Sequence, residues 1–227
     1  MTESARDLAR RLDLSLGDES LLDLALVHPS RALEGAVASN QRLEFLGDAV
    51  VDLVIGEALF LAHPDLDEGK MSKARIALVN EGTLAELARG LGLGELLVMG
   101  KGAERAGDAE LDSVLADAFE AVIGAVYLAA GLDEARRVIL TQMGGRLEQA
   151  AADPGSWDFK SRMNEWAQAH EGASCTYEVH QSGPEHRPSF TATVSVAGRT
   201  IASGEGRSKK QAEAAAARAA WEEVGDA

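Results

Sequence analysis

The chain has 227 residues, a formal net charge of −15 at pH 7 and one cysteine. This length accommodates one or two domains. No apolar run approaches the ~20 residues of a membrane span, and the N-terminal residues lack the layout of a secretory signal. Because Cys175 is single, an internal disulfide and a cysteine zinc site are excluded. We therefore expect a cytoplasmic protein with no membrane partner.

The negative charge is concentrated in the first two thirds of the chain. Residues 1–153 carry 14 Lys and Arg against 27 Asp and Glu, whereas residues 154–227 carry 8 against 10. Four of those eight basic residues fall within twelve positions: Arg199, Arg207, Lys209 and Lys210. An acidic chain is a poor generic binder of nucleic acid, so an RNA partner has to be argued from motifs.

Apolar residues recur at helical spacing up to about residue 150, as in Leu43, Leu46, Val50 and Leu53. Good helix formers dominate this region, and glycines separate the periodic stretches. The pattern predicts an all-α domain over residues 1–150. Small and helix-breaking residues then predict a linker over 151–157.

The periodicity changes after the linker. Residues 159–170 are predicted to form a helix, and alternating polar and apolar residues around Tyr177 and over 190–196 indicate strands. A Gly-Pro break at 183–184 separates these strands, residues 197–200 resemble a tight turn into a third strand, and residues 208–224 are an alanine-rich helix. The order α-β-β-β-α predicts a small α+β domain over 158–227.

Two predicted helices carry paired acids among apolar residues. Glu44 and Asp48 are four residues apart, and Asp117 and Glu120 are three apart, so each pair shares one helix face. Carboxylates in such segments are costly to bury unless they bind a partner. Oxygen donors without His or Cys favour Mg²⁺, with Mn²⁺ able to substitute, over zinc. The alternative is that both pairs lie on solvated helix faces.

These segments resemble the ribonuclease III family. The stretch NQRLEFLGD at 40–48 is similar to the family signature. Residues 67–80 and 113–128 resemble its second and third motifs, and LALVHPS at 24–30 matches a further segment. The resemblance implies an all-α homodimer with its cleavage valley at the dimer interface. It also implies metal-dependent cutting of double-stranded RNA into 5′-phosphate and 3′-hydroxyl ends with short 3′ overhangs, and processing of precursors of ribosomal RNA and of messenger, transfer and other structured RNAs.

The resemblance also implies roles for individual residues. Glu44, Asp117 and Glu120 match metal ligands, and Asp48 and Glu120 match the catalytic positions. Glu68 matches an accessory acid that influences the metal environment or the partner subunit, although it also fits an ordinary surface loop. Two further positions in the signature, Asn40 and Gly47, are interpreted as a helix start and a close-packing position.

Residues 158–224 resemble a double-stranded RNA-binding domain, which reads the shape of A-form RNA. The implied contacts lie in the first helix, in the loop between the first two strands and at the start of the last helix: Ser161, Asn164, Glu165, His186, Ser208, Lys209 and Lys210. Three aromatic residues, Tyr177, Phe190 and Trp221, are expected to pack in the domain core. With so few cations, we expect modest and salt-sensitive affinity.

The chain departs from the family pattern at two places. Gln41 stands where the family most often has Glu, which removes a charge but keeps hydrogen-bonding ability. Glu110 and Asp112 stand where relatives often carry Arg or Lys. We expect Gln41 to be tolerated, and we favour surface drift over a lost phosphate contact for the other two.

Three competing functions remain open from the residues. A double-stranded RNA-binding protein with an inert nuclease domain is disfavoured by the intact four acids. A helical di-metal protein acting on small molecules would usually carry Glu-x-x-His, which neither acid pair has. A DNA nuclease is disfavoured because the C-terminal module reads 2′-hydroxyls.

Overall fold

A computed structural model describes residues 2–15, 20–35, 38–155, 158–183, 188–206 and 208–225. The chain divides into two compact units, Met1–Pro154 and Gly155–Ala227. The first is helical and the second combines two helices with a three-stranded sheet, which confirms the predicted fold class. The predicted linker begins too early, because Ala151 and Ala152 continue the last helix of the first unit and Ala151 is buried there.

The described part of the first unit contains a short 3₁₀ turn at Asp108–Glu110 and eleven α-helices. The helices are α1 (Glu3–Arg11), α2 (Ser20–Ala25), α3 (Pro29–Glu34), α4 (Gln41–Ala62), α5 (Glu68–Val79), α6 (Glu81–Gly90), α7 (Leu93–Leu96), α8 (Lys101–Ala106), α9 (Asp112–Ala130), α10 (Leu132–Met143) and α11 (Arg146–Ala152).

The centre of the first unit is α9, which packs against α2, α4, α6 and α10. Ten of its residues are buried, including Phe119 and Ile123. With 19 residues and a mean hydropathy of 1.6, α9 is long and apolar enough to cross a membrane by length and composition alone. The expectation that no apolar run approaches such a length was therefore wrong. Because 61% of the apolar stretch of α9 is buried inside the protein, the position of α9 in the core accounts for its apolar composition.

Helix α4 begins after Asn40, as predicted, but Asn40 does not cap it with its side chain. The residue is 2% exposed, and its Oδ1 has no hydrogen-bond partner among the residues that the structure describes. Its main chain anchors the helix start instead: the N–H donates to the Val27 carbonyl, and the carbonyl accepts from the N–H groups of Leu43 and Glu44. The start of α4, and with it Glu44, is thereby tied to the segment before α3.

The second unit has the predicted order: α12 (Phe159–Glu171), β1 (Cys175–Ser182), β2 (Ser189–Val196), β3 (Arg199–Gly206) and α13 (Lys209–Val224). The strands form one antiparallel sheet in the order β1-β2-β3. Ala197 and Gly198 both have positive φ in the two-residue turn between β2 and β3, as a type I′ hairpin turn requires. Both helices contact this sheet, and buried alanines of α13 let it lie close to β2 and β3.

Candidate metal centre and RNA-binding surface

The two acid-bearing helices, α4 and α9, meet at a pair of glycines. A Cβ on Gly47 would lie 1.8 Å from the backbone oxygen of Glu120, and a Cβ on Gly124 would lie 2.2 Å from the backbone oxygen of Leu43. No side chain fits at either position, so the backbones are in direct contact. This confirms the packing role predicted for Gly47. Its counterpart Gly124 was missed, although a glycine within an apolar helix is itself a signal of close packing.

This crossing brings together acids that are far apart in the sequence. Glu44 of α4 and both Asp117 and Glu120 of α9 each offer a carboxylate oxygen, and these oxygens lie within 4.8 Å of one another. We call these three residues the acid trio. Glu44 and Glu120 are half-buried. Three converging oxygen donors without nitrogen or sulfur suit a hard divalent cation.

Burial and mutual repulsion make the acid trio hard to ionise. Burial, followed by the negative charges of Asp48, Asp117, Glu44 and Asp52, raises the pKa of Glu120 to about 8. Burial and the neighbouring Asp117 and Asp48 raise the pKa of Glu44, and burial with the charge of Glu81 raises that of Asp117. A bound cation would compensate this charge, and metal binding would release protons.

Asp48 lies beside the acid trio rather than within it. Its side chain is exposed one turn after Glu44, and its charge still acts on both Glu44 and Glu120. Asp52 continues this row by one more turn and Glu81 begins α6; sequence reasoning missed the influence of both on the site. The four-residue repeat of Glu44, Asp48 and Asp52 was the available signal for Asp52.

Glu68 does not join the acid trio. It is exposed at the first position of α5, where its Oε1 accepts a hydrogen bond from the Ser72 hydroxyl at 2.9 Å. The helix is capped by Asp67, whose side chain accepts from the Lys70 N–H. If Glu68 acts at a metal site, it has to do so through a group other than this acid trio. The expected influence on a partner subunit is therefore still a prediction.

The residues that depart from the family pattern have ordinary structural environments. Gln41 is exposed in the first turn of α4, and its Oε1 accepts a hydrogen bond from the Ser39 hydroxyl at 3.3 Å. Asp112 pairs with Arg89 at 2.5 Å, and Arg89 also donates to the Glu110 carbonyl at 3.1 Å. Asp112 thus links the end of α6 to the start of α9. This residue therefore has a structural role that neutral surface variation does not describe.

The predicted RNA contacts of α12 lie on its accessible part. Asn164 and Glu165 are exposed and Ser161 is half-buried. The Oδ1 of Asn164 also accepts a hydrogen bond from the Cys175 N–H at 2.8 Å, so this residue joins α12 to β1 as well.

Ser208 caps α13, since its hydroxyl oxygen accepts a hydrogen bond from the Gln211 N–H at 3.2 Å. Lys209 and Lys210 follow in the first turn and are exposed. Among the residues that the structure describes, neither lysine forms an ion pair. A helix N-terminus with two free ammonium groups is suited to phosphate. His186 and Arg207 lie outside the described residues.

Three other cations among the described residues of the second unit form ion pairs within it. Lys160 pairs with Glu213 at 2.7 Å, Arg199 pairs with Glu171 at 2.5 Å, and the Arg218 guanidinium contacts Glu222 at 3.0 Å. The three predicted core aromatics, Tyr177, Phe190 and Trp221, do pack against the buried cluster of this unit.

Comparison with known proteins agrees with both units. Residues 18–147 match the family described as Ribonuclease-III-like, and residues 159–224 match the double-stranded RNA binding motif. Ribonuclease 3 of Leifsonia xyli is 48% identical over 205 residues, which are 90% of this chain and 86% of that protein. Ribonuclease 3 of Mycobacterium tuberculosis is 44% identical over 225 residues, 97% of this chain and 93% of that protein.

Among solved structures, the nuclease domain of ribonuclease III from Campylobacter jejuni is similar at a TM-score of 0.57 and 43% identity, covering 60% of this chain and 94% of that domain. That domain is described as structurally flexible in a region involved in dimer formation. Matches of this extent, across both units and in the same order, establish the relationship. The chain belongs to the ribonuclease III family and is an endoribonuclease with a double-stranded RNA-binding motif.

Proposed function

We propose that the protein is a homodimeric, Mg²⁺-dependent endonuclease that cuts double-stranded RNA and leaves 5′-phosphate and 3′-hydroxyl ends with short 3′ overhangs. The observation that carries this proposal is the acid trio, whose three carboxylate oxygens lie within 4.8 Å of one another at the crossing of α4 and α9. A metal-dependent nuclease site has to gather ligands for a cation at a point that a phosphodiester can approach.

The donor set fits Mg²⁺, with Mn²⁺ as a substitute. Glu44, Asp117 and Glu120 supply oxygen ligands only, and burial together with the neighbouring negative charges raises the pKa of each, which a bound cation would offset. When bound, a divalent cation lowers the pKa of water and offsets the charge that grows on phosphoryl oxygens. In this proposal Glu44, Asp117 and Glu120 hold the ion.

The remaining acids have different roles in the proposed reaction. Asp48 is exposed beside the acid trio, so its carboxylate is free to accept a hydrogen bond from the attacking water while Glu120 holds the ion. Attack on phosphorus with departure of the 3′-oxygen leaves the phosphate on the 5′ side. Glu68 lies outside its own trio and is assigned to the metal environment across the dimer.

A homodimer is supported by an apolar face on α4 and α5. Phe45, Leu53 and Phe60 of α4 and Ile76 of α5 are each between 56% and 80% exposed. Helical spacing puts Phe45, Leu53 and Phe60 on one side of α4, and large apolar side chains exposed on one side of a helix favour an interface. The dimer formation described for the Campylobacter jejuni domain favours a second copy as the partner. Each of two acid trios would then cut one strand of a duplex.

The second unit supplies the proposed duplex-binding surface through Ser161, Asn164 and Glu165 of α12 and through Ser208, Lys209 and Lys210 at the start of α13. The proposal also includes His186, which lies outside the described residues. We propose ribosomal RNA precursors and structured messenger and transfer RNA regions as substrates, and the cytoplasm as the location, where the free Cys175 would remain reduced.

The proposal is tested with an end-labelled, perfectly paired RNA duplex. Wild type and Glu120→Gln are incubated with it in Mg²⁺, Mn²⁺ or EDTA, and product ends are identified by enzymatic ligation and phosphatase sensitivity. We expect wild type to cut only with a divalent cation, and the variant to bind the duplex without cutting. Wild type that binds duplex RNA but never cuts with either cation would establish the binding-only alternative.

A further inference from the structure

An ion pair lies within the apolar face defined by Phe45, Leu53, Phe60 and Ile76. Arg75 of α5 donates from Nη1 to Oδ1 of Asp52 on α4 at 2.5 Å. Asp52 comes seven residues after Phe45 and eight residues before Phe60, so it shares their side of α4. The charged pair therefore lies on the same side of α4 as these apolar side chains, one turn after Asp48.

The stem of Arg75 crosses α4 at a glycine. A Cβ on Gly56 would lie 3.9 Å from Cδ of Arg75, so the arginine chain runs over the small residue one turn after Asp52. The next residue, Ile76, belongs to the apolar face and is 61% exposed. Both charged side chains keep substantial exposure, 41% for Asp52 and 36% for Arg75, and each can accept a further partner.

We propose that Asp52 and Arg75 set the register of the homodimer by pairing with the same two residues of a second copy. This inference rests on the homodimer proposed above. In a two-fold interface one patch faces itself, and a patch with one acid and one base is complementary to itself when the copies are antiparallel. Asp52 of each copy then meets Arg75 of the partner subunit, which produces a ring of four alternating charges.

The desolvation cost favours a ring of four charges over an Asp52–Arg75 pair that the interface buries without new partners. An ion pair that loses its water without new partners is costly. A carboxylate has about four acceptor sites and a guanidinium five donors, so each group can bind one opposite charge in its own chain and one across the interface. Sliding the copies by one helical turn would move each Asp52 away from Arg75 of the partner subunit and break both pairs across the interface. The ring therefore selects one register, and the register sets the separation of the two acid trios.

The test uses full-length chains with like charges at the two positions. We expect Asp52→Arg and Arg75→Asp each to weaken self-association by roughly a hundredfold or more, since like charges across an interface cost several kcal/mol. Mixing the two variants places two positive groups on one chain and two negative groups on the other. Dimers should then re-form as heterodimers in sedimentation velocity and in pull-down of a tagged chain.

A second variant exchanges the two charges and so retains an ion pair within each chain. Asp52→Arg combined with Arg75→Asp should self-associate like wild type, yet avoid wild type, because a mixed dimer would oppose acid to acid and base to base. Heterodimers below the random fraction support the ring, and random mixing overturns it. This measurement still decides the matter if a like-charge variant fails to fold, which thermal melting would reveal.

The matched control is the Arg89–Asp112 pair, which has the same 2.5 Å separation and similar exposure but joins α6 to α9. Arg89→Asp should leave dimerisation unchanged. Like-charge variants that dimerise as wild type does, or fail to recover on mixing, overturn the ring. Wild type that sediments as a monomer at all concentrations overturns the homodimer itself, which is a separate and recognisable outcome.

Discussion

Gly47 and Gly124 face each other at the crossing of α4 and α9, and neither position has room for the methyl group of an alanine. The contact explains how acids about 70 residues apart in the chain come within one ion's reach. Glu44 and Asp48 flank Gly47 on α4, while Glu120 lies one turn before Gly124 on α9. The distance between the helices thus sets the distance between the carboxylates.

Replacing Gly47 by alanine should force the two helices apart. We expect Gly47→Ala to lower the free energy of unfolding by about 3 kcal/mol, at the upper end for overpacked cores, and to weaken divalent-cation binding. The control is Gly102→Ala in α8, where a Cβ would meet nothing within 4 Å. That change should be neutral or stabilise by up to about 1 kcal/mol. Urea unfolding and cation titration measure both, and equal effects would remove the packing argument.

The raised pKa of Glu120 should make stability depend on pH when divalent cations are absent. With a pKa of about 8 when folded against 4.5 ordinarily, Glu120 holds a proton in the folded state that the unfolded chain has lost. Its contribution is therefore complete below pH 4.5, declines as the pH rises and is gone above about pH 8. In EDTA the melting temperature should fall from pH 6 to pH 8.5 more steeply for wild type than for Glu120→Gln. Parallel slopes would contradict the assignment.

Substitutions of Glu44 and Asp48, one turn apart on α4, should affect metal binding and catalysis differently. Glu44→Gln removes a member of the acid trio, and we expect it to weaken Mg²⁺ or Mn²⁺ binding by at least about tenfold. Asp48→Asn should retain cation binding within a few-fold while cleavage drops by about 100-fold or more. Calorimetry measures the first property and single-turnover cleavage the second. Loss of cation binding in Asp48→Asn would place that residue among the ligands.

Lys209 and Lys210 of α13, which form no ion pair with any described residue, should dominate the electrostatic binding of RNA. We expect Lys209→Ala and Lys210→Ala each to reduce the slope of log affinity against log salt by about 1 per copy of the unit. Arg199→Ala is the control, because Arg199 is already paired with Glu171. Filter binding of a duplex at several salt concentrations measures the slopes. A control that changes the slope as much as the lysine variants would show that the intramolecular pair opens on RNA.

Gln41 should be tolerated. It lies exposed at the first position of α4 and accepts from the Ser39 hydroxyl, an interaction that a carboxylate also makes. Gln41→Glu adds a negative charge in the first helical turn, where the helix dipole favours it. Turnover of a duplex substrate should change by less than about tenfold, since a barrier change of ~1.4 kcal/mol corresponds to that factor. A larger change would show that this position takes part in the reaction.

Local patterns predicted much of this protein. The helical stretch over 159–170, the alternation around Tyr177 and over 190–196, the turn over 197–200 and the alanine-rich segment after residue 208 together predicted the α-β-β-β-α order. They could do so because strand and helix periodicities depend on neighbours in the chain. The same locality placed Glu44 with Asp48, and Asp117 with Glu120, on shared helix faces. The side chain of Asn40 could not be anticipated, since its burial depends on main-chain contacts with Val27.

The long apolar helix α9 shows where composition is ambiguous. Its hydropathy fits a membrane span and a core helix equally, and only its packing against neighbouring helices distinguishes them. The Asp52–Arg75 pair was also beyond sequence reasoning. Asp52 could be placed on the row of acids, but its partner lies 23 residues away on another helix.

The sequence by itself determined which acids are available and on which helix faces they lie, because a spacing of three or four residues is a property of a single helix. The family resemblance implied that Glu44, Asp117 and Glu120 are ligands, and only the tertiary structure decided which carboxylates converge: these three do, while Asp48 remains beside them. That selection depends on how closely two helices cross. The closeness is set by the backbone contact of Gly47 and Gly124, a relationship between distant segments that no local pattern contains.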